Sequence, residues 1–584
     1  MRGEKKLSYY LNKAEDLDDQ TYEKKTRIAL LGSFTLNGLD ETLRVKCAEK
    51  NIQCTTYVGG YNQYSQEILN SDSNLYKFSP DVSFLLIDTR TILGDLFYYP
   101  YSVSKEERKK FINKKINEIQ KLIKVFDEKT NSKLVITNFS IPTFSTYGIF
   151  ETKIDYGQHE MITELNNRLA NIFLNSNSIF IYDFNNFVSK HGEKNIFDDK
   201  QFLFGDMKIS LDYIPYLAND LLSYIIGHLG ISKKCIVLDL DNTLWGGIVG
   251  EDGFNGIKLG PEPPGNAYIE FQKVLLSFYQ RGIILAINSK NNYEDAIKVI
   301  KEHPYMILHE DHLASLRINW NDKVSNMREI ANELNIGLDS IVFFDDDPVN
   351  KEYMKINLPQ VLTVDLPKDP SQYADIVKNM NAFSVLHITP EDRQRGKMYT
   401  EQRKRSELEK STLDLESFLK QLDLIISIKN ANEFTIPRIS QLTLKTNQFN
   451  LTTKRYQEAD IKRLSQDQNY MVGCAQVKDK FGDNGITGVF IIHKENPKEW
   501  FIDTFLLSCR VMGREVEKGI LGYILNKAKE SGVERIKAQF IQSQKNKPIE
   551  DFLPLCGFQK EENIWVYSIK SHFIIPECLT VRVE

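Results

Sequence analysis

The chain has 584 residues, 41% hydrophobic and 26% charged, and its 74 Lys and Arg against 79 Asp and Glu give a formal net charge of −5. At a prior of about 150 residues per domain, that length makes three or four compact units. The balance excludes a disordered, collagenous or low-complexity chain and argues against broad binding to nucleic acid or membranes. No apolar run approaches the ~18 residues that span a bilayer, and the polar start MRGEKKLSYYLNKAEDLDDQ lacks a signal-peptide core, so a soluble cytoplasmic protein is expected. The seven cysteines (Cys47, Cys54, Cys235, Cys474, Cys509, Cys556 and Cys578) include no C-x-x-C pair, which supports neither a disulfide framework nor a zinc site.

In chain order, β-rich runs at 27–34 (RIALLGSF), 53–60, 82–89, 133–140 and 179–186 alternate with helical stretches such as 105–127, the pattern of a parallel sheet covered on both faces. The pattern restarts at 234–239 (KCIVLD), with further strands expected at 283–287, 341–345 and 360–364. The charged stretch EDRQRGKMYTEQRKRSELEK then reads as a solvated linker helix. Beyond it, strands are expected at 423–428, 471–477 and 499–507, with a type I′ hairpin turn at the Asn-Gly of FGDNG. A helix from about Glu515 carries Val516, Ile520, Ile524 and Ala528 on one face. The domains expected are therefore 1–228, 229–388 and 415–584, joined by a helical linker at 389–414.

Chemistry concentrates at strand ends of the second domain. Asp239 and Asp241 follow a hydrophobic strand, where ligands bind in open parallel sheets. Two carboxylates so placed can divide attack on phosphorus from proton transfer to the leaving oxygen. Ser289 follows the next strand and offers a hydroxyl to a phosphate oxygen, Lys323 opens a helix and can neutralise phosphate charge, and the strand IVFF ends in Asp345-Asp346-Asp347, hard oxygen donors suited to Mg²⁺. Asp347 reads as a solvated or helix-capping residue. The intervals between Asp239, Ser289 and Lys323 leave no room for a full cap domain, so another domain or a bulky substrate must exclude water from the site.

This ordered set resembles the haloacid-dehalogenase (HAD) superfamily of phosphotransferases. The resemblance implies a capless HAD Rossmannoid domain in which Asp239 is the nucleophile, Asp241 the acid/base, Ser289 and Lys323 the phosphate binders, and Asp239, Asp241, Asp345 and Asp346 the Mg²⁺ site. The segments CIVLDLDNTLWGGIVGEDG, RINWNDK, FFDDDPVNKE, TNQFNLTTKR, KDKFGDNGITG and LLSCRVMGREVE are more specific. Together they resemble FkbH-like proteins of polyketide biosynthesis, most strongly over 230–584. That resemblance implies an enzyme that takes 1,3-bisphosphoglycerate, dephosphorylates it and loads the glyceryl unit onto the phosphopantetheine thiol of an acyl carrier protein.

Passing an acyl group to a thiol calls for a thiolate, and Cys509 is the best candidate: it ends a strand, precedes a helix, and is followed by Arg510 and Arg514. The alternative is a small buried cysteine at a strand end. Cys235 lies about 13 Å down the strand from Asp239 and reads as core, as do Cys474 and Cys556. The last domain resembles the GNAT acyltransferase α+β fold, with Arg510, Gly513 and Arg514 in the position of its pyrophosphate loop and hence as pantetheine-binding residues; Asn546 and the Leu555-Cys556-Gly557-Phe558 ending also match that pattern. Glu515 stands where that loop carries a small residue, which opposes free coenzyme A, or else stabilises the helix dipole. Lys445, Lys454, Arg455, Lys545 and Lys547 are candidate docking charges for an acidic carrier, or plain solvated side chains.

The first domain resembles a flavodoxin-like SGNH-hydrolase sheet, with Gly32-Ser33 at the nucleophile turn and Gly59-Gly60 after the second strand. Its closing D-x-x-H fails, because Ile209 stands three residues after Asp206, so a non-hydrolytic lid, docking surface or oligomer contact is expected. Two other functions fit the same residues: a plain Mg²⁺-dependent small-molecule phosphatase, and an interaction protein that presents a carrier with little chemistry of its own.

Overall fold

The computed structural model describes residues 4–17, 22–412, 414–543 and 546–584, apart from the side chains of residues 390, 391, 406, 407, 410, 445, 509 and 548. The chain forms two compact units, Met1–Ser232 with Asn379–His387, and Lys233–Lys378 with Ile388–Glu584. The second and third domains expected from sequence thus share one unit, and a short segment near residue 380 returns to the first.

In the first unit, β1 (Lys24–Gly32), β2 (Ile52–Val58), β3 (Val82–Leu86), β4 (Lys133–Thr137) and β5 (Ile179–Tyr182) form a parallel sheet in the order β2-β1-β3-β4-β5. The order reverses between β1 and β3, which opens a crevice at their C-terminal ends. The helix Lys105–Lys129 starts at a capping box between Ser104 and Glu107 and buries Ile112, Ile116, Ile119, Ile123 and Phe126. Each such side chain contributes about 1.5–3 kcal/mol on burial.

The second unit begins with β6 (Cys235–Leu238), β7 (Ile284–Ser289), β8 (Leu313–Ile318), β9 (Ile341–Asp345) and β10 (Leu362–Asp365), a parallel sheet in the order β10-β9-β6-β7-β8. Its reversal falls between β6 and β9, which brings the residues after Leu238 beside Asp345. No strand was expected at β8. Its sequence LASLRI is short and holds one charge, Arg317, yet it pairs in parallel with β7.

The remaining strands are β11 (Leu424–Asn430), β12 (Phe449–Asn450), β13 (Tyr470–Asp479), β14 (Gly482–Asn496), β15 (Glu499–Leu507), β16 (Arg535–Ala538), β17 (Gln559–Glu561), β18 (Ile564–Ser568) and β19 (Leu579–Val583). They make one mixed sheet in which β15 and β16, joined by the helix Val516–Glu530, are parallel. That helix buries Val516, Ile520, Ile524 and Ala528, the face expected from their spacing.

Two expectations are corrected. The hairpin turn lies at Asp479–Gly482, overlapping the expected Phe481–Gly485 but not centred on its Asn484-Gly485. The Asp479 carboxylate accepts the N–H groups of Phe481 (3.0 Å) and Gly482 (3.2 Å) and sets the turn there. Asn484-Gly485 instead lies where the β13–β14 register shifts, with Gly485 at φ +70°, the left-handed conformation of a bulge. The charged linker is indeed a helix, Arg395–Ser411, but not a solvated one, because Met398, Thr400, Glu401, Arg403 and Arg405 are buried. Arg403 reaches Glu310 (3.3 Å) on the β6–β10 domain, and Arg405 makes a two-pronged pair with Asp479 (2.6 and 2.9 Å) on the C-terminal sheet. Its charges are satisfied across the fold rather than by water.

Among the described residues no helix is long and apolar enough to cross a membrane.

Candidate active site

The site lies at the reversal of the β6–β10 sheet. Asp239 follows β6, and its Oδ1 accepts the N–H of Leu240 (2.8 Å) while its Oδ2 meets Lys323 Nζ (2.7 Å). Lys323 opens the helix Lys323–Glu333, capped by Asp322, whose carboxylate accepts the N–H groups of Val324 and Ser325. The same ammonium pairs with Asp345 Oδ2 at 2.6 Å. Asn288 at the end of β7 donates to the Lys323 carbonyl (2.8 Å) and so fixes the backbone that aims this lysine. Ser289, next along β7, is fully buried at the strand end.

Asp239, Asp345 and Asp346 each place a carboxylate oxygen so that all lie within 4.8 Å of one another. Burial raises the Asp345 carboxyl, and the negative charge of Asp239 adds to it, against the opposing pull of Lys323. Asp346 is pushed up to about 6 by burial and by its two carboxylate neighbours. Burial disfavours charge on Lys323, but Asp239 and Asp345 more than offset it, so its ammonium is held charged. Three crowded hard-oxygen donors facing one ammonium are a donor set that fits Mg²⁺.

Asp241 sits apart from that cluster. Its Oδ1 accepts Trp245 Nε1 (2.8 Å) and the Val249 N–H (3.1 Å), and its Oδ2 accepts Asn291 Nδ2 (2.8 Å). The sequence expectation counted Asp241 among the metal ligands, but these three donors turn its carboxylate elsewhere. Burial raises its carboxyl above the ordinary aspartate range. Trp245 and Asn291 were not singled out from sequence: Trp245 stood within a quoted motif, while Asn291 had no signal beyond its place after β7. We expect Asn291→Ala to lower kcat for phosphate release roughly 10- to 100-fold with KM little changed, since a misplaced acid/base forfeits part of a 10²–10⁴-fold contribution. Steady-state kinetics check it, and an unchanged kcat would remove Asn291 from the site.

Asp347 caps the helix Pro348–Asn357 by accepting the Val349 N–H (2.9 Å), one of its two expected readings. Following four strands at the end of the sheet that carries Asp239 stand exposed large apolar side chains, Ile248 and Trp320 in loops and Tyr293 and Val349 in the first turns of helices.

The candidate acyl-transfer residues lie elsewhere in the same unit. Cys509 opens the turn Cys509–Val511 after β15, and its side chain lies outside the described ones. Arg510 is half-buried, and its guanidinium donates to Met398 Sδ (3.0 Å). Gly513 adopts φ +75°. Arg514, expected beside pantetheine, is instead buried within the Arg405–Asp479 network, donating to Gln402 Oε1 (2.5 Å) with Asp479 at 3.6 Å. Burial, with Arg405 nearby, lowers it to about 10. Glu515 pairs with Lys518, and the buried Glu517 Oε2 in the first helical turn has no partner among the described residues. Two carboxylates at this helix start oppose a pyrophosphate.

β15 and β16 pair only from Glu499–Arg535 to Ile502–Ala538. Beyond that, β12 pairs with Leu506 and Leu507, Leu451 donates to the Phe505 carbonyl (3.1 Å), and Ile541 donates to the Leu451 carbonyl (2.8 Å). Among the described residues, the chain's own segment therefore fills the gap between these parallel strands.

Of the other thiols, Cys235, Cys474 and Cys556 are buried and pushed up by desolvation, Cys474 and Cys556 to about 12. Asn546 is fully buried and donates to the Asn450 carbonyl (3.0 Å), so it holds the filling segment in place. Among the docking charges, Lys454 pairs with Asp503, Arg455 donates to the Thr446 carbonyl (2.9 Å), and Lys547 is exposed. Lys545 and the Lys445 side chain lie outside the described residues.

In the first unit, Ser33 is buried after β1, and its hydroxyl accepts the Asp88 N–H (2.9 Å). Lys208 stands 3.4 Å from Asp88 and 3.5 Å from Asp206, and Ile209 is packed in the core. No imidazole lines the described crevice that holds Asp88, Ser140 and Lys208.

Residues 27–226 match the family model of the FkbH N-terminal domain. Among solved structures, the chain is similar to the N-terminal part of the protein BF1531 from Bacteroides fragilis, which contains a phosphatase domain complexed with Mg. That match has 29% identity, covers 66% of this chain and 100% of that one, and has a TM-score of 0.60. Similarity also extends to a putative acetyltransferase of the GNAT family from Desulfovibrio desulfuricans (10% identity, 25% of this chain, 99% of that one, TM-score 0.21). The ribosomal-protein-S18-alanine N-acetyltransferase from Escherichia coli matches at 11% identity, 25% of this chain and 96% of that one, with a TM-score of 0.21. No curated protein matches the chain.

Proposed function

We propose, on the premise that this chain is an FkbH-like protein with a HAD-like domain, that it loads a glyceryl unit from 1,3-bisphosphoglycerate onto the phosphopantetheine thiol of an acyl carrier protein, with dephosphorylation, in polyketide biosynthesis. The observation that carries the phosphatase half is the convergence of Asp239, Lys323, Asp345 and Asp346 at the sheet reversal.

Asp239 attacks phosphorus in line with the ester oxygen. The phosphorus–oxygen bond to substrate breaks, Asp241 gives the leaving oxygen a proton, and an aspartyl phosphate forms. Water then attacks that phosphorus, Asp241 takes its proton, and the Asp239 carboxylate and inorganic phosphate are released. Lys323 and the Leu240 N–H hold Asp239 in one orientation throughout, and Ser289 binds a phosphoryl oxygen. Bound by Asp239, Asp345 and Asp346, Mg²⁺ would supply neutralisation of the transferring phosphoryl charge. In the acyl half, the Cys509 thiolate attacks the acyl-phosphate carbonyl, the carbon–oxygen bond to phosphate breaks, and the thioester then exchanges onto the carrier thiol. The apolar Ile248, Tyr293, Trp320 and Val349 support a site closed by a macromolecular partner, since a small polyanion offers nothing for them to bury against.

Intact-mass analysis of the carrier after incubation with 1,3-bisphosphoglycerate, Mg²⁺ and the full chain tests the reading. A glyceryl adduct that disappears in both Cys509→Ala and Asp239→Asn supports it. Phosphate release without an adduct, indifferent to Cys509→Ala, would leave a plain phosphatase; carrier binding without turnover would leave an interaction protein.

Chelation of divalent ions is expected to abolish phosphate release, and Mg²⁺ at a hundredfold over its Kd to stabilise the fold by about 2.7 kcal/mol. Thermal melting with and without Mg²⁺ reads this, and Asp345→Asn should remove most of the shift. A melting curve indifferent to Mg²⁺ would contradict the metal assignment.

A further inference from the structure

A groove of about 520 Å³ runs between the β6–β10 domain and the C-terminal domain of the second unit. Lys234, Arg395, Arg438 and Arg510 line it, against a single carboxylate, Asp392. Arg395 is engaged by that carboxylate. Lys234 and Arg510 have no carboxylate within 4 Å among the described residues; Arg510 is half-buried, donates to Met398 Sδ (3.0 Å), lies 6.0 Å from the Tyr399 ring, and also borders a smaller cavity that Glu333 lines. Two groove cations with no carboxylate in ion-pair reach, Lys234 and Arg510, suit an oxyanion from outside the chain. Ser508 and Arg510 both line the groove, so it opens on the turn that carries Cys509.

The groove lies at the N-terminal ends of the strands, opposite the ends that carry Asp239. Lys234 immediately precedes β6 and Ile284 opens β7, whereas Asp239 and Ser289 stand at the far ends of those strands. The five residues from Lys234 to Asp239 span roughly 16 Å at the extended rise.

We propose that this groove is a second phosphate-binding site, which holds the phosphoester end of the phosphorylated acyl donor while its carbonyl meets residue 509. The inference rests on the acyl-transfer half of the reading above for its ligand, and on the groove alone for its location. The groove's Lys234 end lies about five extended residues, roughly 16 Å, from Asp239, so it is a site distinct from the one at Asp239.

Inorganic phosphate is the probe. Equilibrium binding to the full chain is expected to find two sites, and crystals soaked in tungstate should show anomalous peaks both beside Asp239 and between Lys234 and Arg510. Lys323→Ala should remove only the first site. The double substitution Lys234→Ala with Arg510→Ala should weaken only the second, at least roughly tenfold, the worth of one charge-assisted hydrogen bond. Arg510→Lys should retain most of it. A single site abolished by Lys323→Ala and indifferent to the double substitution would overturn the inference, as would a tungstate peak beside Asp239 alone. Failure of carrier loading with both phosphate sites intact would count against the acyl-transfer reading and leave the groove standing.

Discussion

Asp239→Asn is expected to remove phosphate release almost completely, by at least about 10³-fold in kcat, because an amide is a poor nucleophile and losing a nucleophile that acts with its partners costs nearly the whole chemical step. The substitution is nearly isosteric, so the fold should persist. The amide oxygen keeps one of the two donors, the N–H of Leu240 or the ammonium of Lys323, which reach different oxygens of Asp239, and the amide NH₂ faces the other. Removing one of three mutually repelling carboxylates relieves Asp345 and Asp346, both raised in part by Asp239. Their carboxyls should move down toward the ordinary range in the variant, a shift readable by carbon NMR. Retained turnover would mean that another group attacks phosphorus.

The second large effect is on stability. Arg405→Ala is expected to destabilise the second unit by about 3–5 kcal/mol, since it leaves the buried Asp479 carboxylate without its two-pronged partner. Asp479 also sets the β13–β14 turn and faces Arg514, so the loss should spread into the C-terminal sheet. Urea denaturation of the full chain reads it, and a midpoint within error of the parent would contradict the pairing. The pH dependence has a definite sign. Burial alone would raise Asp479, but the hydrogen bonds and charge of Arg405 outweigh it and hold the carboxyl below the ordinary range. A depressed folded-state value contributes stability that is complete above about pH 4, where the unfolded aspartate ionises, and is lost as pH falls toward the folded-state value. Arg405→Ala should flatten that acid limb.

The phosphoryl site was legible in the sequence because its chemistry sits at strand ends, where short motifs coincide with the positions the sheet brings together. Asp239, Lys323, Asp345 and Asp346 meet as their order along the chain implied. The donors that hold Asp241 were not legible, since Asn291 reaches it across 50 residues and nothing local marks an asparagine as a partner. The helix Arg395–Ser411 misled for the same reason. A run of charges reads as solvated unless its partners are known, and those of Arg405 and Arg403 lie 74 and 93 residues away. The Asn-Gly pair misled through competition: Asp479 offers a stronger turn five residues earlier, which leaves Gly485 to a bulge. The turn after β15 carried its motif faithfully, yet Arg514 went to an internal ion network while Arg510 was left facing a groove.

The central claim is that Asp239 becomes phosphorylated. Rapid quenching of the full chain during turnover with Mg²⁺ and a phosphate ester, followed by borohydride reduction, would convert an aspartyl phosphate to homoserine. Peptide mass spectrometry is expected to find homoserine at position 239. Turnover with Asp239 recovered unmodified, or with homoserine at 345 or 346, would contradict it.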